Sequence, residues 1–179
     1  CATLLRTAVL FDGGAATGVH TGWFVGSVRW VEETGVRVPQ PLAHGVDDKD
    51  TAWLLMEYII PGAATPSYQE SLGQGLAAVH RQAASKDFGW NRDNWIGSLP
   101  QSNAATATGP DFWRDQRIAP QLDLARQQGL LTETTMDQVL EVIPAALRDI
   151  TEAGLVHGDL WSGNTYAAQD GTPVLIDPA

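Results

Sequence analysis

This sequence has one cysteine, two lysines and no apolar run long enough to cross a bilayer. Each shortage removes a class of protein. With Cys1 alone, the chain builds neither an internal disulfide framework nor a zinc site made of cysteines. That usage fits a reducing cytoplasm. The longest apolar candidates, such as residues 51–60, are strand-sized, well short of the roughly 18–20 residues of a membrane helix. Lysine occurs only at Lys49 and Lys86, and the formal net charge is −10. An acidic chain repels nucleic-acid backbones and anionic lipid unless its cations cluster. Here the arginines are scattered, with nothing denser than pairs such as Arg114 and Arg117. No nucleic-acid partner and no membrane partner is expected, and an anionic ligand would need divalent cations to offset its charge.

What is present suits a soluble globular chain. Of 179 residues, 44% are hydrophobic and 18% charged, enough for one or two small domains with a real core. The chain opens on Cys1 without the charged, apolar, small-residue order of a signal peptide. It stops at Asp177-Pro178-Ala179, directly after a strand-like run, which predicts a fragment of a longer protein.

Along the chain, Leu4 to Phe11 suits a strand and is followed by the glycine-rich stretch Gly13–Gly18. Trp23, Phe24, Val28, Trp30 and Val31 predict an amphipathic helix over residues 21–33, capped by Gly35. Pro39 and Pro41 keep Val36 to Pro41 extended. Leu42–Val46 and Thr51–Ile60 read as an antiparallel pair around the polar turn Asp47–Asp50. Pro61-Gly62 reads as a hinge. Leu72, Leu76 and Val79 predict a helix over Tyr68–Gln82. Residues 85–110 read as a long loop, followed by helices over about 110–128 and 133–153, the second with Pro144 as a kink point.

The sharpest signal is His157-Gly158-Asp159-Leu160-Trp161-Ser162-Gly163-Asn164, followed by Ile176-Asp177. Thr165–Ala167 and Val174–Ile176 are strand-like, and Gln169-Asp170-Gly171 is a turn signal between them. A hairpin of that length brings its two ends, Asn164 and Asp177, side by side. An amide oxygen and a carboxylate converging beside a loop make a hard oxygen site suited to Mg²⁺. Asp159 and Asn164 have the Asp-x-x-x-x-Asn spacing of a phosphoryl-transfer loop, in which the Asp takes a hydroxyl proton and the Asn holds a metal. Gly158 and Gly163 are expected to let the loop turn tightly. His157 reads as a brace for the loop rather than a proton carrier.

These residues resemble the aminoglycoside phosphotransferase-like kinases, which share the H-G-D-x-x-x-x-N loop and the I-D strand end. Trp161-Ser162-Gly163 and Pro178-Ala179 narrow the resemblance to the fructosamine (ketosamine) kinases. So do Asp93–Ser98 with Pro100–Asn103, Phe112–Leu122, and Gly75–His80. The resemblance covers roughly residues 26–179. It implies an α+β, protein-kinase-like two-lobe fold. Residues 1–60 would form an incomplete N-terminal lobe, with residues 1–24 atypical. Residues 61–179 would form a truncated helical C-terminal lobe holding the catalytic loop and metal-binding hairpin.

The resemblance also implies transfer of phosphate from ATP to the 3-hydroxyl of a ketosamine, free or protein-bound, with Mg²⁺. Asp159 would be the base, with Asn164 and Asp177 on the metal. Glu57, Tyr58 and Ile59 would meet the adenine, and Trp161, Asn94 and Trp95 would face the substrate. The strand lysine and helix glutamate of this fold have no counterpart: no lysine precedes Lys49, and Phe24, Val25 and Gly26 stand where the glutamate falls. Weak or no turnover is therefore expected of this chain by itself. An aminoglycoside or choline phosphotransferase uses the same Asp and Asn, and a non-catalytic pseudokinase-like module would explain the missing lysine. A tryptophan in the loop favours the fructosamine kinases over the first, and the intact Asp159, Asn164 and Asp177 argue against the second.

Overall fold

Proline spacing and short alternating runs determine how the chain enters its sheets. In the computed structural model, which describes residues 34–48, 52–82 and 85–178, Val36 to Gln40 is extended, as two prolines require. The strand, glycine-rich stretch and helix expected before Thr34 lie outside the described residues. The chain divides into two compact units, Cys1–Ala83 with Val156–Ala179 and Ala84–Leu155.

In the first unit, β1 (Pro41–Val46) pairs antiparallel with β2 (Ala52–Met56), with an irregularity between Pro41 and Ala43. The second strand ends at Met56 rather than Ile60. The last ladder bond runs from the Glu57 N–H to the Gln40 carbonyl at 2.8 Å. Beyond it the backbone changes partner: Gly62 N–H donates to the Ala167 carbonyl at 2.8 Å, and Gln169 N–H donates to the Ile60 carbonyl at 3.0 Å. Pro61-Gly62 is thus held on both sides. A side chain at Gly62 would place its Cβ 2.5 Å from the Ala168 carbonyl oxygen, so glycine here permits close approach.

Helix α1 (Tyr68–Gln82) occupies the expected span and buries Tyr68, Leu72 and Val79. The hairpin of β5 (Thr165–Ala167) and β6 (Pro173–Leu175) is antiparallel, with Thr165 opposite Leu175. Its edges are covered. Arg37 bridges Val174 in parallel, with Arg37 N–H to the Pro173 carbonyl at 2.7 Å and Leu175 N–H to the Arg37 carbonyl at 2.8 Å. Pro61 bridges Ala168 on the other side. Val174 is fully buried and packs with Ile59, Ala168, Tyr166 and Ile176. Burial of a valine side chain stabilises by roughly 1.5–3 kcal/mol. The site described below grows from this hairpin.

In the second unit, the expected loop over 85–110 contains a short hairpin, β3 (Asn94–Ile96) and β4 (Leu99–Gln101). Gly97, with φ at +56°, makes its turn. The helical run after it starts on an N-cap, with Thr108 Oγ1 accepting from the Asp111 N–H at 3.2 Å. It proceeds as α2 (Gly109–Phe112), a π-helical segment (Trp113–Ile118) and α3 (Ala119–Gln127). Pro120 has no N–H to give to Gln116, and the wider register is seen where Ala119 N–H reaches the Arg114 carbonyl. Helix α4 spans Glu133–Ala146 and stops well before the expected residue 153. Pro144 removes a bond from its last turn, and the chain leaves through turns at residues 147–149. No described helix is long and apolar enough to cross a membrane.

Candidate active site

The loop over residues 157–164 is ordered by bonds to the hairpin that follows it. Gly158, with φ at +84°, makes the first turn. The Asn164 N–H donates to the Trp161 carbonyl at 3.0 Å, closing a tight turn. Ile176 N–H donates to the Asn164 carbonyl at 3.0 Å, extending the ladder by one rung and bringing Asn164 and Asp177 together as the hairpin spacing predicts. The Asn164 side chain then gathers three oxygens. Its Nδ2 donates to the Asp159 carbonyl at 2.8 Å, to Asp159 Oδ2 at 3.1 Å and to the Asp177 carbonyl at 3.4 Å. Asn164 is buried, Asp159 half-buried and Asp177 exposed.

His157 braces this arrangement. Its ring Nδ1 accepts from the Asp159 N–H at 3.4 Å, leaving Nε2–H to donate to the Ile176 carbonyl at 2.9 Å. Burial holds the imidazole below its ordinary pKa despite the bond to Ile176 and the nearby Asp159 and Asp177. A neutral ring with both nitrogens engaged is a strut. Asp177 has φ at +56°, alone among the described non-glycine residues in the left-handed region. Such backbone strain concentrates at functional sites.

With Nδ2 committed to Asp159 and to the Asp177 main-chain carbonyl, Asn164 keeps its Oδ1 for another partner, on the same loop and hairpin that carry the carboxylates of Asp159 and Asp177. This all-oxygen set fits a hard divalent cation. Among the described residues no cluster of three or more His, Cys, Asp or Glu forms a metal site. A mixed amide and carboxylate set escapes that pattern.

Trp161 is 60% exposed at the rim of this loop. Its indole folds back over Gly163. A Cβ at position 163 would stand 2.5 Å from Trp161 Cη2, 2.7 Å from Cε2 and nearer still to Cζ2. Gly163 lies inside the turn that the Asn164–Trp161 bond closes, but unlike Gly158 it does not have a left-handed φ. Glycine at 163 makes room for the ring.

Glu57, Tyr58 and Ile59 follow β2. The Glu57 carboxylate is taken by Arg37 Nη2 at 2.5 Å, and Tyr166 donates its hydroxyl to the Ile59 carbonyl at 3.2 Å. Burial pushes the Tyr166 phenol up, keeping it a neutral donor. The Ile59 N–H has no backbone partner among the described residues. A cleft of about 410 Å³ runs along residues 57–60 between Arg37 and the hairpin turn at Ala168–Asp170. Tyr166 and Arg37 were not predicted as site residues, because a strand tyrosine and an extended arginine carry no local signal of their partners.

Asn94 and Trp95 lie in the second unit. Asn94 is buried, with Oδ1 accepting from Asn103 Nδ2 at 3.0 Å. Asn103 also donates to the Arg92 carbonyl at 3.1 Å and takes the Asp93 carboxylate on its own N–H at 2.8 Å. Arg117 closes the network through Asn103 Oδ1 and the Ser102 carbonyl.

With this geometry in hand, comparison with known proteins is decisive. The model of the family described as fructosamine kinase matches residues 28–179. The chain belongs to the fructosamine kinase family. It is 38% identical over 146 residues to a candidate ketoamine kinase of Synechocystis, covering 80% of this chain and 48% of that one. It is 33% identical over 172 residues to a chloroplastic protein-ribulosamine 3-kinase of Oryza sativa, covering 94% of this chain and 50% of that one. Among solved structures, a candidate fructosamine-3-kinase of Thermobifida fusca superposes with a TM-score of 0.76 at 34% identity, over 96% of this chain and 58% of that one. The mixed helix and sheet architecture is therefore that of the family. The chain spans about half the length of the curated relatives it matches.

Proposed function

We propose that this chain carries the phosphoryl-transfer centre of an ATP-dependent ketosamine kinase, acting on the sugar 3-hydroxyl of a small-molecule or protein-bound ketosamine in the cytoplasm. The observation that carries the reading is the convergence of Asp159, Asn164 and Asp177, tied through one side-chain amide, inside a chain of this family. Asp159 takes the proton of the attacking hydroxyl, and Asn164 holds Asp159 in place while its Oδ1 would be left to hold a metal. Asn164 and Asp177 would hold Mg²⁺, which would supply neutralising charge to the phosphates when bound. Glu57, Tyr58 and Ile59 line the adenine, and the Ile59 N–H, without a backbone partner among the described residues, suits that role. Trp161 faces the acceptor. By the family resemblance, Trp95 and Asn94 would also face the substrate.

In the same reading, residues 1–60 belong to an incomplete N-terminal lobe and residues 61–179 to the beginning of a C-terminal lobe. Without the strand lysine and helix glutamate, turnover by this chain alone is feeble. Calorimetric titration with ATP, with and without Mg²⁺, beside Asp177→Ala, tests the centre. Magnesium-dependent binding that the substitution abolishes is the expected result. A folded chain that binds no ATP would sink the proposal for this chain. A substrate panel of ketosamine, aminoglycoside and choline then decides the acceptor.

A further inference from the structure

We infer that Gly163 is a positioning residue for the acceptor, acting by seating the Trp161 indole over the loop that also carries Asp159. The inference rests on the proposed phosphoryl-transfer reading and deepens it. Two features of the structure carry it. First, the φ of Gly163 lies outside the left-handed region, so the turn does not demand glycine on that ground. Second, the space its missing Cβ leaves is filled by the six-membered edge of the Trp161 ring. Real Cβ atoms essentially never come within 3.0 Å of another heavy atom, yet three ring atoms lie inside that limit.

The blocked neighbour is a rigid ring rather than a flexible side-chain end, so any substitution at 163 moves the indole or the loop. The ring is not buried by this arrangement. At 60% exposure it stays open to solvent, on the same loop as Asp159 and Asn164, two and three positions away in sequence. An exposed aromatic ring on the loop that carries the proposed base is a surface on which a sugar ring can stack. Fixing it in advance removes the ordering cost that a swinging tryptophan would impose on acceptor binding. Gly163 thus acts through Trp161, and the two positions form one unit.

The test compares wild type, Gly163→Ala, Trp161→Ala and the double variant, each labelled with 5-fluorotryptophan. The sequence has seven tryptophans, and Trp161→Ala identifies its resonance by its loss. In Gly163→Ala the Trp161 resonance moves while the other six stay, which also shows that the fold is kept. Affinity for a fructose–amine adduct falls about tenfold with MgATP affinity unchanged, the pattern of lost uniform binding. In the Trp161→Ala background the alanine at 163 has no added effect. An unmoved Trp161 resonance, unchanged adduct affinity, or an equal loss in both backgrounds would overturn the inference. If Gly163→Ala does not fold, recovery of the fold in the double variant supports the pairing and continued failure overturns it. A wild type that binds MgATP but no adduct defeats the acceptor reading, while the fluorine signal still decides whether Gly163 seats Trp161.

Discussion

The side-chain amide of Asn164 donates to both the main-chain and the carboxylate oxygen of Asp159, at 2.8 and 3.1 Å. In the proposed reading, one residue thus fixes the rotamer of the base and would offer its other atom to the metal. Asn164→Asp separates these duties. It preserves a side-chain oxygen but removes the donor and sets a second carboxylate against Asp159, replacing attraction by repulsion. Turnover at neutral pH is expected to fall at least about 100-fold, read in a single-turnover assay with the chain completed by a full N-terminal lobe. Unchanged turnover would show that Asn164 does not position Asp159.

Asp177 combines a proposed ligand role with a left-handed backbone. Asp177→Gly and Asp177→Ala remove the same carboxylate, so both abolish magnesium-dependent ATP binding. Their stabilities diverge. Glycine accepts a φ of +56° without penalty, whereas alanine in the left-handed region costs about 1 kcal/mol. Chemical denaturation should rank the glycine variant above the alanine variant by about that amount. The reverse order would mean that position 177 is not strained.

His157 gives the stability a pH dependence. Burial lowers its pKa in the folded chain below the ordinary 6.5, so the unfolded chain takes up a proton first as pH falls. The contribution is fully present above 6.5 and is lost as pH drops toward the folded value. His157→Gln preserves one donor for the Ile176 carbonyl and removes the titration. The stability gap between wild type and His157→Gln should shrink between about pH 7 and pH 5, followed by thermal melts. A gap that widens on acidification would contradict a buried neutral ring.

Arg117 locks the second hairpin. Its fork bonds Ser102 and Asn103, and the guanidinium lies 4.6 Å over the Phe112 ring. Arg117→Lys preserves charge and loses the fork, at a cost of about 1–3 kcal/mol. Hydrogen exchange at residues 94–101 should accelerate while the β5–β6 hairpin keeps its protection. Equal acceleration in both would refute a lock confined to the second unit.

Much of the site was legible because its logic is short-range. The loop spacing, the turn at Gln169–Gly171 and the convergence of Asn164 with Asp177 all follow from residues close in sequence, where turn chemistry and strand alternation act directly. Helix α1 was readable for the same reason. The hairpin Asn94–Gln101 was missed because three-residue strands carry too little alternation to stand out. The stop of β2 at Met56 and of α4 at Ala146 depended on which partners the backbone found next, and end positions are always the weakest part of a pattern.

The sequence by itself determined the chemistry of this protein: which carboxylates and amides sit on the loop, and which family they belong to. Tertiary structure alone decided how those groups are held. Arg37 pairs with β6, Tyr166 reaches Ile59 and Arg117 reaches Asn103 across long stretches of chain. Even the Trp161 ring over Gly163, only two positions away, depends on a rotamer that no residue pattern specifies. Local propensity acts through neighbouring dihedrals, whereas these contacts exist only once the packed chain brings distant surfaces together.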